Sequence, residues 1–211
     1  MSKPLTITIA RQYGSGGREI GEMVAKLLEI PLYDKQLITD AANRGNLSES
    51  VLKGADETAT NSLLYTLAMG SNVLDTTMHF GYKMPINDKL YLLQSKVIKE
   101  YADNGSCVII GRCSDYVLRD RDDVFRIFIY CDLEHRKERV KERHPELKSS
   151  QIIDVINKTD RRRSSYYNFY TGNKWGKYDN YDIAINSSTL GIEGTAHMIA
   201  NCARQLISED K

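Results

Sequence analysis

The stretch that decides the fold lies near the start of the sequence, where residues 5–18 read LTITIARQYGSGGR. Its first half is β-branched and follows Pro4, which predicts a strand over Leu5–Ala10. Its second half holds three glycines and a serine, and leads into a helix predicted over Arg18–Glu29. Such a turn gathers backbone N–H groups at the positive end of the helix dipole, and it therefore favours a phosphate ligand.

The turn matches the P-loop pattern G-x-x-x-x-G-K-[ST] only in part. Arg11 stands at the first glycine, Gly17 at the lysine and Arg18 at the hydroxyl residue. We expect Arg18 or Arg11 to supply the missing positive charge, although an arginine binds phosphate with a different geometry from lysine. Glu19 or a water shell would replace the hydroxyl that holds magnesium. The predicted phosphate-binding residues are Arg11, Gly14, Ser15, Gly16, Gly17 and Arg18.

A second glycine motif competes with this interpretation. The dinucleotide fingerprint is G-x-G-x-x-G with an acidic residue about 20 positions later. Gly14-Ser15-Gly16 begins it and Asp34 has the right spacing, but Glu19 occupies the third glycine. An NAD(P)-dependent oxidoreductase is therefore an alternative, although 211 residues leave little room for a second domain.

Strands and helices alternate along the rest of the chain. Apolar runs predict strands at residues 30–33, 106–111, 124–131 and 182–186. Helical patterns cover residues 35–44, 88–103, 133–144, 150–170 and 192–207. This order predicts an α/β fold with a parallel, doubly wound sheet.

Two regions depart from the alternation, and both are of the length and composition expected of lids or substrate-binding lobes. Residues 45–87 are rich in Asn, Ser, Thr and Met. Residues 158–182 concentrate Arg, Tyr, Asn and Gly. We predict a single domain, residues 1–211, with a helical insertion at 45–87 and a lid at 158–182.

A cluster of positive side chains precedes the tyrosines of the second region. Lys158, Arg162 and Arg163 would lie near one another on a helix, where like charges are destabilising unless an anion compensates them. Phosphoryl transfer needs positive groups of this kind over the migrating phosphoryl. The cluster predicts an arginine lid, or alternatively a solvated basic stripe offset by nearby aspartates.

Arg112 follows a predicted strand, at the carboxyl edge of the sheet where open α/β folds bind ligands. It is a candidate for contacting an anion, with a surface salt bridge to Asp115 as the alternative. Residues 134–143 mix both signs of charge, which is typical of an ordinary exposed helix. The aromatic residues at 166–181 are compatible with stacking on a base or with packing of a lobe.

Composition excludes several classes of protein. Lys and Arg number 29 against 28 Asp and Glu, a net charge of +1 that argues against a dedicated nucleic-acid binder. No apolar run approaches the roughly 20 residues of a membrane span, and the first residues do not form a signal core, so we expect a cytoplasmic protein. The cysteines and histidines show no metal-ligand spacing, which predicts buried thiols and no metal-ligating residues.

With these motifs identified, the chain resembles the cytidylate kinase-like family, relatives of the nucleoside monophosphate kinases within the P-loop fold. The likeness spans nearly the whole chain. It is most specific at residues 7–21, Tyr33-Asp34-Lys35, Ile110-Gly111-Arg112 and Asp160-Arg161-Arg162-Arg163. Cytidylate kinases end the loop in Gly-Lys-Gly-Thr, where this chain has Gly16-Gly17-Arg18-Glu19.

The resemblance implies a three-layer P-loop kinase fold that uses ATP and Mg²⁺ to phosphorylate a nucleoside monophosphate or similar small acceptor. It implies an acceptor near Asp34 and Arg112 and a lid carrying Arg162 and Arg163. Together with the residue analysis, the candidate catalytic residues are Arg18, Arg112, Arg162 and Arg163, and the candidate acceptor-binding residues are Asp34, Arg112 and Lys158. A non-catalytic nucleotide-binding regulatory module is the alternative, and residues 63–74 are a candidate homodimer contact.

Overall fold

The computed structural model describes residues 4–45 and 85–208. Within them the strands are β1 (Thr6–Arg11), β2 (Leu32–Tyr33), β3 (Cys107–Ile110), β4 (Val124–Tyr130) and β5 (Ile183–Asn186). The helices are α1 (Gly17–Leu28), α2 (Lys35–Arg44), α3 (Ile86–Asp103), α4 (Ser114–Val117), α5 (Leu133–Arg143), α6 (Ser149–Thr171) and α7 (Ser187–Ser208), with a short 3₁₀ turn at Tyr178–Asn180.

The five strands form one parallel sheet in the order β2-β3-β1-β4-β5. Strand β1 lies at its centre, with Ile7 beside Val108 of β3 on one side and Phe125 of β4 on the other. The predicted α/β fold with a parallel sheet is confirmed. The strand order differs from the 3-2-1-4-5-6 order of the dinucleotide-binding sheet, which disfavours the oxidoreductase alternative.

Apolar side chains from both faces of the sheet are buried, as expected of a doubly wound sheet. On one face, Ile7 and Ile9 of β1 pack with Ile20 of α1 and Ile199 of α7. On the other face, residue Ile109 of β3 belongs to a cluster that includes residues of α2 and α3. The first of these cores fixes α1, and with it the loop that joins β1 to α1, against the central strand.

One predicted boundary needs correction. Helix α7 begins at Ser187, five residues before the predicted start, and it is interrupted at Gly191, whose φ of 67° and ψ of −174° are not helical. The helix predicted at residues 150–170 is present as α6, and it contains the first part of the predicted lid. The lid role of residues 158–182 stays a prediction. The predicted insertion lies outside the described residues except at its ends, as does the candidate dimer helix at 63–74.

No helix within residues 4–45 and 85–208 is long and apolar enough to cross a membrane. Cys107, Cys113 and Cys131 are buried and Cys202 is half-buried, all as free thiols, which confirms the prediction except for the exposure of Cys202. Burial raises the pKa of the Cys107 thiol to about 11. A cytoplasmic location and a single-domain chain stay predictions.

Candidate active site

The glycine loop lies at the carboxyl end of β1 and leads into α1. Gly14 and Gly16 have φ values of 79° and 76°, in the left-handed region that favours glycine. A Cβ on Gly14 would stand 2.9 Å from the carbonyl oxygen of Arg136, so the loop can approach α5 only with glycine there. Gly16 caps α1, and its carbonyl accepts the N–H of Ile20 at 2.9 Å. The sequence thereby builds a turn whose first helical N–H groups face one cavity.

That cavity has a volume of about 340 Å³. Its walls come from the glycine loop, the ends of β1, β2 and β3, and helices α5 and α6. The lining residues are Arg11, Gln12, Tyr13, Gly14, Gly16, Gly17, Arg18, Glu19, Asp34, Arg112, Arg143, Arg162 and Arg163. Six arginines thus face two carboxylates, which makes the cavity strongly attractive to anions.

The predicted site residues meet there with two exceptions. Arg11, Gly14, Gly16, Gly17, Arg18, Asp34, Arg112, Arg162 and Arg163 all line the cavity. Ser15 is fully buried beneath the loop, where its carbonyl accepts a hydrogen bond from the Ser187 hydroxyl at 2.7 Å. Lys158 is exposed on α6 and does not line the cavity, so its role in acceptor binding stays a prediction.

Arg112 reaches the cavity through an unusual backbone turn. Gly111, Arg112 and Cys113 have φ values of 69°, 60° and 55°, all in the left-handed region. For the arginine and the cysteine this conformation costs about 1–2 kcal/mol each. Strain of this kind persists at functional sites, and here it turns Arg112, 7% exposed, from the end of β3 toward the glycine loop.

Arg18 and Asp34 lie together at one side of the cavity. The Arg18 Nε is 3.3 Å from Asp34 Oδ2 and 3.1 Å from Glu22 Oε1. The Arg18 side chain is half exposed, whereas the Asp34 side chain is only 12% exposed. Arg18 is therefore held by two carboxylates at the rim of the cavity, and Asp34 is a largely shielded acceptor at the end of β2.

The prediction of an ordinary exposed helix at residues 134–143 is wrong for one face of α5. Arg136, Arg139 and Arg143 follow one another at spacings of three and four residues and point toward the loop. The Arg139 Nη1 donates to the Gly14 carbonyl at 3.2 Å. Arg143 lines the cavity and forms an ion pair with Glu19.

Arg136, the first of these three arginines, holds the glycine loop in place jointly with Asp160 of α6. We call this arrangement the loop clamp. Its Nε donates to the Tyr13 carbonyl at 2.7 Å, and its Nη2 pairs with the Asp160 carboxylate. Asp160 Oδ1 also accepts the Tyr13 N–H at 2.7 Å. Both backbone polar groups of Tyr13 are thus held by one part-buried ion pair, a role for Asp160 and Arg136 that the sequence analysis missed.

Helix α6 carries Arg162 and Arg163, and tyrosines further along the helix anchor it. The Arg163 Nη1 donates to the Arg11 carbonyl at 3.0 Å, joining α6 to the end of β1. One and two turns further along, Tyr167 donates to Asp115 at 2.6 Å and Tyr170 to Asp88 at 2.7 Å. The buried tyrosines therefore pack the lobe rather than offer a surface for a base. Burial raises the pKa of Asp115 to about 6.

The model of the cytidylate kinase-like family matches residues 6–189. The chain belongs to the cytidylate kinase-like family. The match covers all five strands and the arginine-bearing helices, so the sequence-based expectation of this family is confirmed. No curated protein matches the chain significantly.

Solved structures similar to this cytidylate kinase-like chain include an uncharacterized protein from Eubacterium ventriosum ATCC 27560, at 25% identity and a TM-score of 0.69 over 95% of this chain and 98% of that one. A shikimate kinase from Bacteroides thetaiotaomicron aligns at 12% identity and a TM-score of 0.52, over 95% and 98% of the two chains. A gluconokinase from Sinorhizobium meliloti 1021 aligns at 12% identity and a TM-score of 0.50, over both whole chains. The fold is that of the P-loop kinases, and with the family it supports a phosphotransferase.

Proposed function

We propose that the protein is an ATP-dependent kinase that transfers the γ-phosphoryl group to a nucleoside monophosphate or similar small anionic acceptor. The observation that carries this proposal is the convergence of six arginines on one cavity at the glycine loop, from the ends of β1 and β3 and from helices α1, α5 and α6. Two phosphate-bearing substrates in one cavity need a concentration of positive charge that a single phosphate would not. Transfer then requires positioning and electrostatic stabilisation, with no covalent intermediate.

In this proposal the triphosphate binds along the glycine loop, beneath Arg143, Arg162 and Arg163. The acceptor binds on the other side of the cavity, near Asp34 and Arg112. The largely shielded Asp34 carboxylate is suited to accept a hydrogen bond from the acceptor, and the Arg112 guanidinium to bind its anionic group. Arg162 and Arg163 would stabilise the charge on the phosphoryl in transit.

Magnesium would enter with the triphosphate. The chain lacks the loop hydroxyl that usually holds it, but Glu19 and Asp34 line the cavity. The Glu19 Oε2 atom is buried and has no hydrogen-bond partner among the described residues. Mg²⁺ is commonly held by one or two carboxylates together with substrate phosphates, so these residues fit it. The bound ion would neutralise charge on the transferring phosphoryl group.

The test combines binding and turnover. Melting temperature is measured with ATP, CMP, dCMP, UMP, AMP, GMP and NADH, with and without Mg²⁺, since a ligand that binds only the native state raises it. We expect ATP and one monophosphate to raise the melting temperature. We also expect the protein to form a nucleoside diphosphate when it is incubated with that pair. No shift with ATP would overturn it.

A regulatory nucleotide-binding module is the second candidate, because position 17 is glycine and lacks the lysine of the P-loop pattern. It predicts a clear melting-temperature shift with ATP, but no phosphoryl transfer to any acceptor. A radiolabelled γ-phosphate assay over the same panel separates the two candidates. The Arg162→Ala variant is the matched negative for turnover.

A further inference from the structure

Arg11 and Gly17 share one space at the base of the glycine loop. A Cβ built on Gly17 would lie 2.6 Å from the Cβ and 2.9 Å from the Cγ of Arg11. Carbon atoms that are not bonded pack at about 3.5–4.0 Å. Any side chain at position 17 would therefore start where the Arg11 side chain already runs.

In the P-loop pattern these two positions carry glycine and lysine, in that order. This chain carries arginine and glycine, so the cation and the glycine have changed places. Arg11 is the last residue of β1, paired with Ile129 of β4, and its carbonyl accepts a hydrogen bond from Arg163. Gly17 is the first residue of α1. The two residues thus come from opposite ends of the same loop and reach the same cavity.

We infer that Arg11 takes over the phosphate-binding role of the missing lysine, and that Gly17 is required as glycine because the Arg11 side chain occupies the lysine's space. This inference rests on the proposed use of ATP. The other candidate for the role, Arg18, lies at the rim and is engaged by Asp34 and Glu22. The Arg11 side chain lines the cavity and begins 2.6 Å from where the Cβ of a lysine at position 17 would stand.

The exchange changes the geometry of phosphate binding. Lysine acts as a compact point charge, whereas the planar guanidinium donates two parallel hydrogen bonds to phosphate oxygens. Arg11 is therefore expected to bridge oxygens of the β- and γ-phosphates. An arginine-to-lysine replacement at position 11 would keep the charge but lose the paired donors, and should recover only part of the affinity.

The experiment is a double-mutant cycle of Arg11→Gly, Gly17→Lys and the two combined, with Arg11→Ala and Arg11→Lys alongside. Arg119→Ala, a half-exposed arginine that does not line the cavity, is the control. ATP dissociation constants and apo melting temperatures are measured for all variants. We expect a loss of ATP affinity of roughly 10- to 100-fold for Arg11→Ala and a smaller loss for Arg11→Lys.

Gly17→Lys alone should lower the melting temperature, because its side chain overlaps that of Arg11. The combined variant should recover melting temperature and bind ATP at least tenfold better than Arg11→Gly. An ATP affinity of Arg11→Ala within twofold of the wild-type value would overturn the inference. A combined variant that binds ATP no more tightly than either single variant would also overturn it. If wild type binds ATP without transferring phosphate, the proposed function fails while the cycle still tests Arg11. If wild type does not bind ATP, both fail.

Discussion

Asp160 of α6 accepts a hydrogen bond from the backbone N–H of Tyr13 in the glycine loop, with the two atoms 2.7 Å apart. The residues are 147 positions apart in the chain, so this bond joins α6 directly to the glycine loop. The partner of Asp160, Arg136, donates to the carbonyl of the same residue. The loop is therefore positioned by side chains of two helices that also carry three of the cavity's six arginines.

The loop clamp predicts that Asp160→Ala loses both stability and ATP affinity. Arg136 is only 9% exposed at its side chain, and removing the partner of a buried ion costs roughly 3 kcal/mol. Asp160→Asn keeps an acceptor for the Tyr13 N–H and should have an intermediate effect. Calorimetry with and without ATP measures both quantities. If ATP raises the melting temperature of Asp160→Ala by as much as that of the wild type, the clamp does not position the loop.

Arg143 is expected to act on the ligand rather than on stability. Its ion pair with Glu19 joins side chains that are each more than one third exposed, and such pairs contribute about 0–1 kcal/mol. Arg143→Ala should therefore leave the melting temperature nearly unchanged and lower kcat/KM for ATP by roughly 10- to 100-fold. Lys137→Ala on the same helix is the control. Equal kcat/KM values for the two variants would mean that Arg143 does not act on the ligand.

Alanine substitutions at the three consecutive arginines of α6, residues 161–163, should differ in their effect on catalysis. Arg162 and Arg163 line the cavity, whereas the adjacent Arg161 does not. Arg162→Ala should lower kcat by roughly 10³-fold, within the range measured for arginines that stabilise a transferring phosphoryl. Arg163→Ala should also lose the hydrogen bond to the Arg11 carbonyl and show a raised KM for ATP. Arg161→Ala should behave as wild type, and a large loss there would contradict the assignment.

Asp115 should make stability depend on pH between about 4 and 6. Burial raises the pKa of this carboxyl from 3.8 to about 6 in the folded protein. The folded state therefore holds the proton over a range in which the unfolded state has lost it, so this group favours folding at low pH. Its contribution falls as the pH rises, by up to about 3 kcal/mol.

Asp115→Asn removes this dependence and keeps an acceptor for the Tyr167 hydroxyl. The variant should gain melting temperature relative to wild type at pH 7.5, and gain less at pH 5. Thermal melts of both proteins at the two pH values measure the difference. A gain that is equal at both pH values would mean that Asp115 does not titrate in this range.

Tyr170→Phe tests how α6 is anchored. The Tyr170 hydroxyl donates to Asp88, a fully buried carboxylate, at 2.7 Å. Loss of this donor leaves a buried charge poorly satisfied and should destabilise the fold by about 2–3 kcal/mol. Tyr178→Phe is the control, because Tyr178 is 77% exposed. Equal melting temperatures for the two variants would contradict the anchoring role.

The fold could be predicted from sequence because its strands are short apolar runs with clear boundaries. The position of Arg112 followed from a general rule, since strand ends in a parallel sheet meet at one edge. Asp34 is identified differently, by its spacing from Gly14 and by the resemblance to the cytidylate kinase-like family, and in the structure it follows β2.

The loop clamp and the face of α5 could not be predicted from local patterns. Arg136 sits among residues of both signs, and only the spacing to Arg139 and Arg143 hinted at a common face. The contact of Asp160 with Tyr13 depends on how α6 crosses the loop, which composition does not encode. The overlap between the Arg11 side chain and any side chain at position 17 likewise becomes visible only from the backbone positions of the two residues.

We propose that two substrates bind in this arginine-lined cavity and that a phosphoryl group is transferred from one to the other. The most direct measurement incubates the protein with γ-³²P-labelled ATP, Mg²⁺ and each nucleoside monophosphate in turn, then separates the labelled products. Our account predicts a labelled nucleoside diphosphate with one monophosphate, and its loss in Arg162→Ala but not in Arg161→Ala. Label that stays in ATP, or appears only as inorganic phosphate with every acceptor, would contradict it.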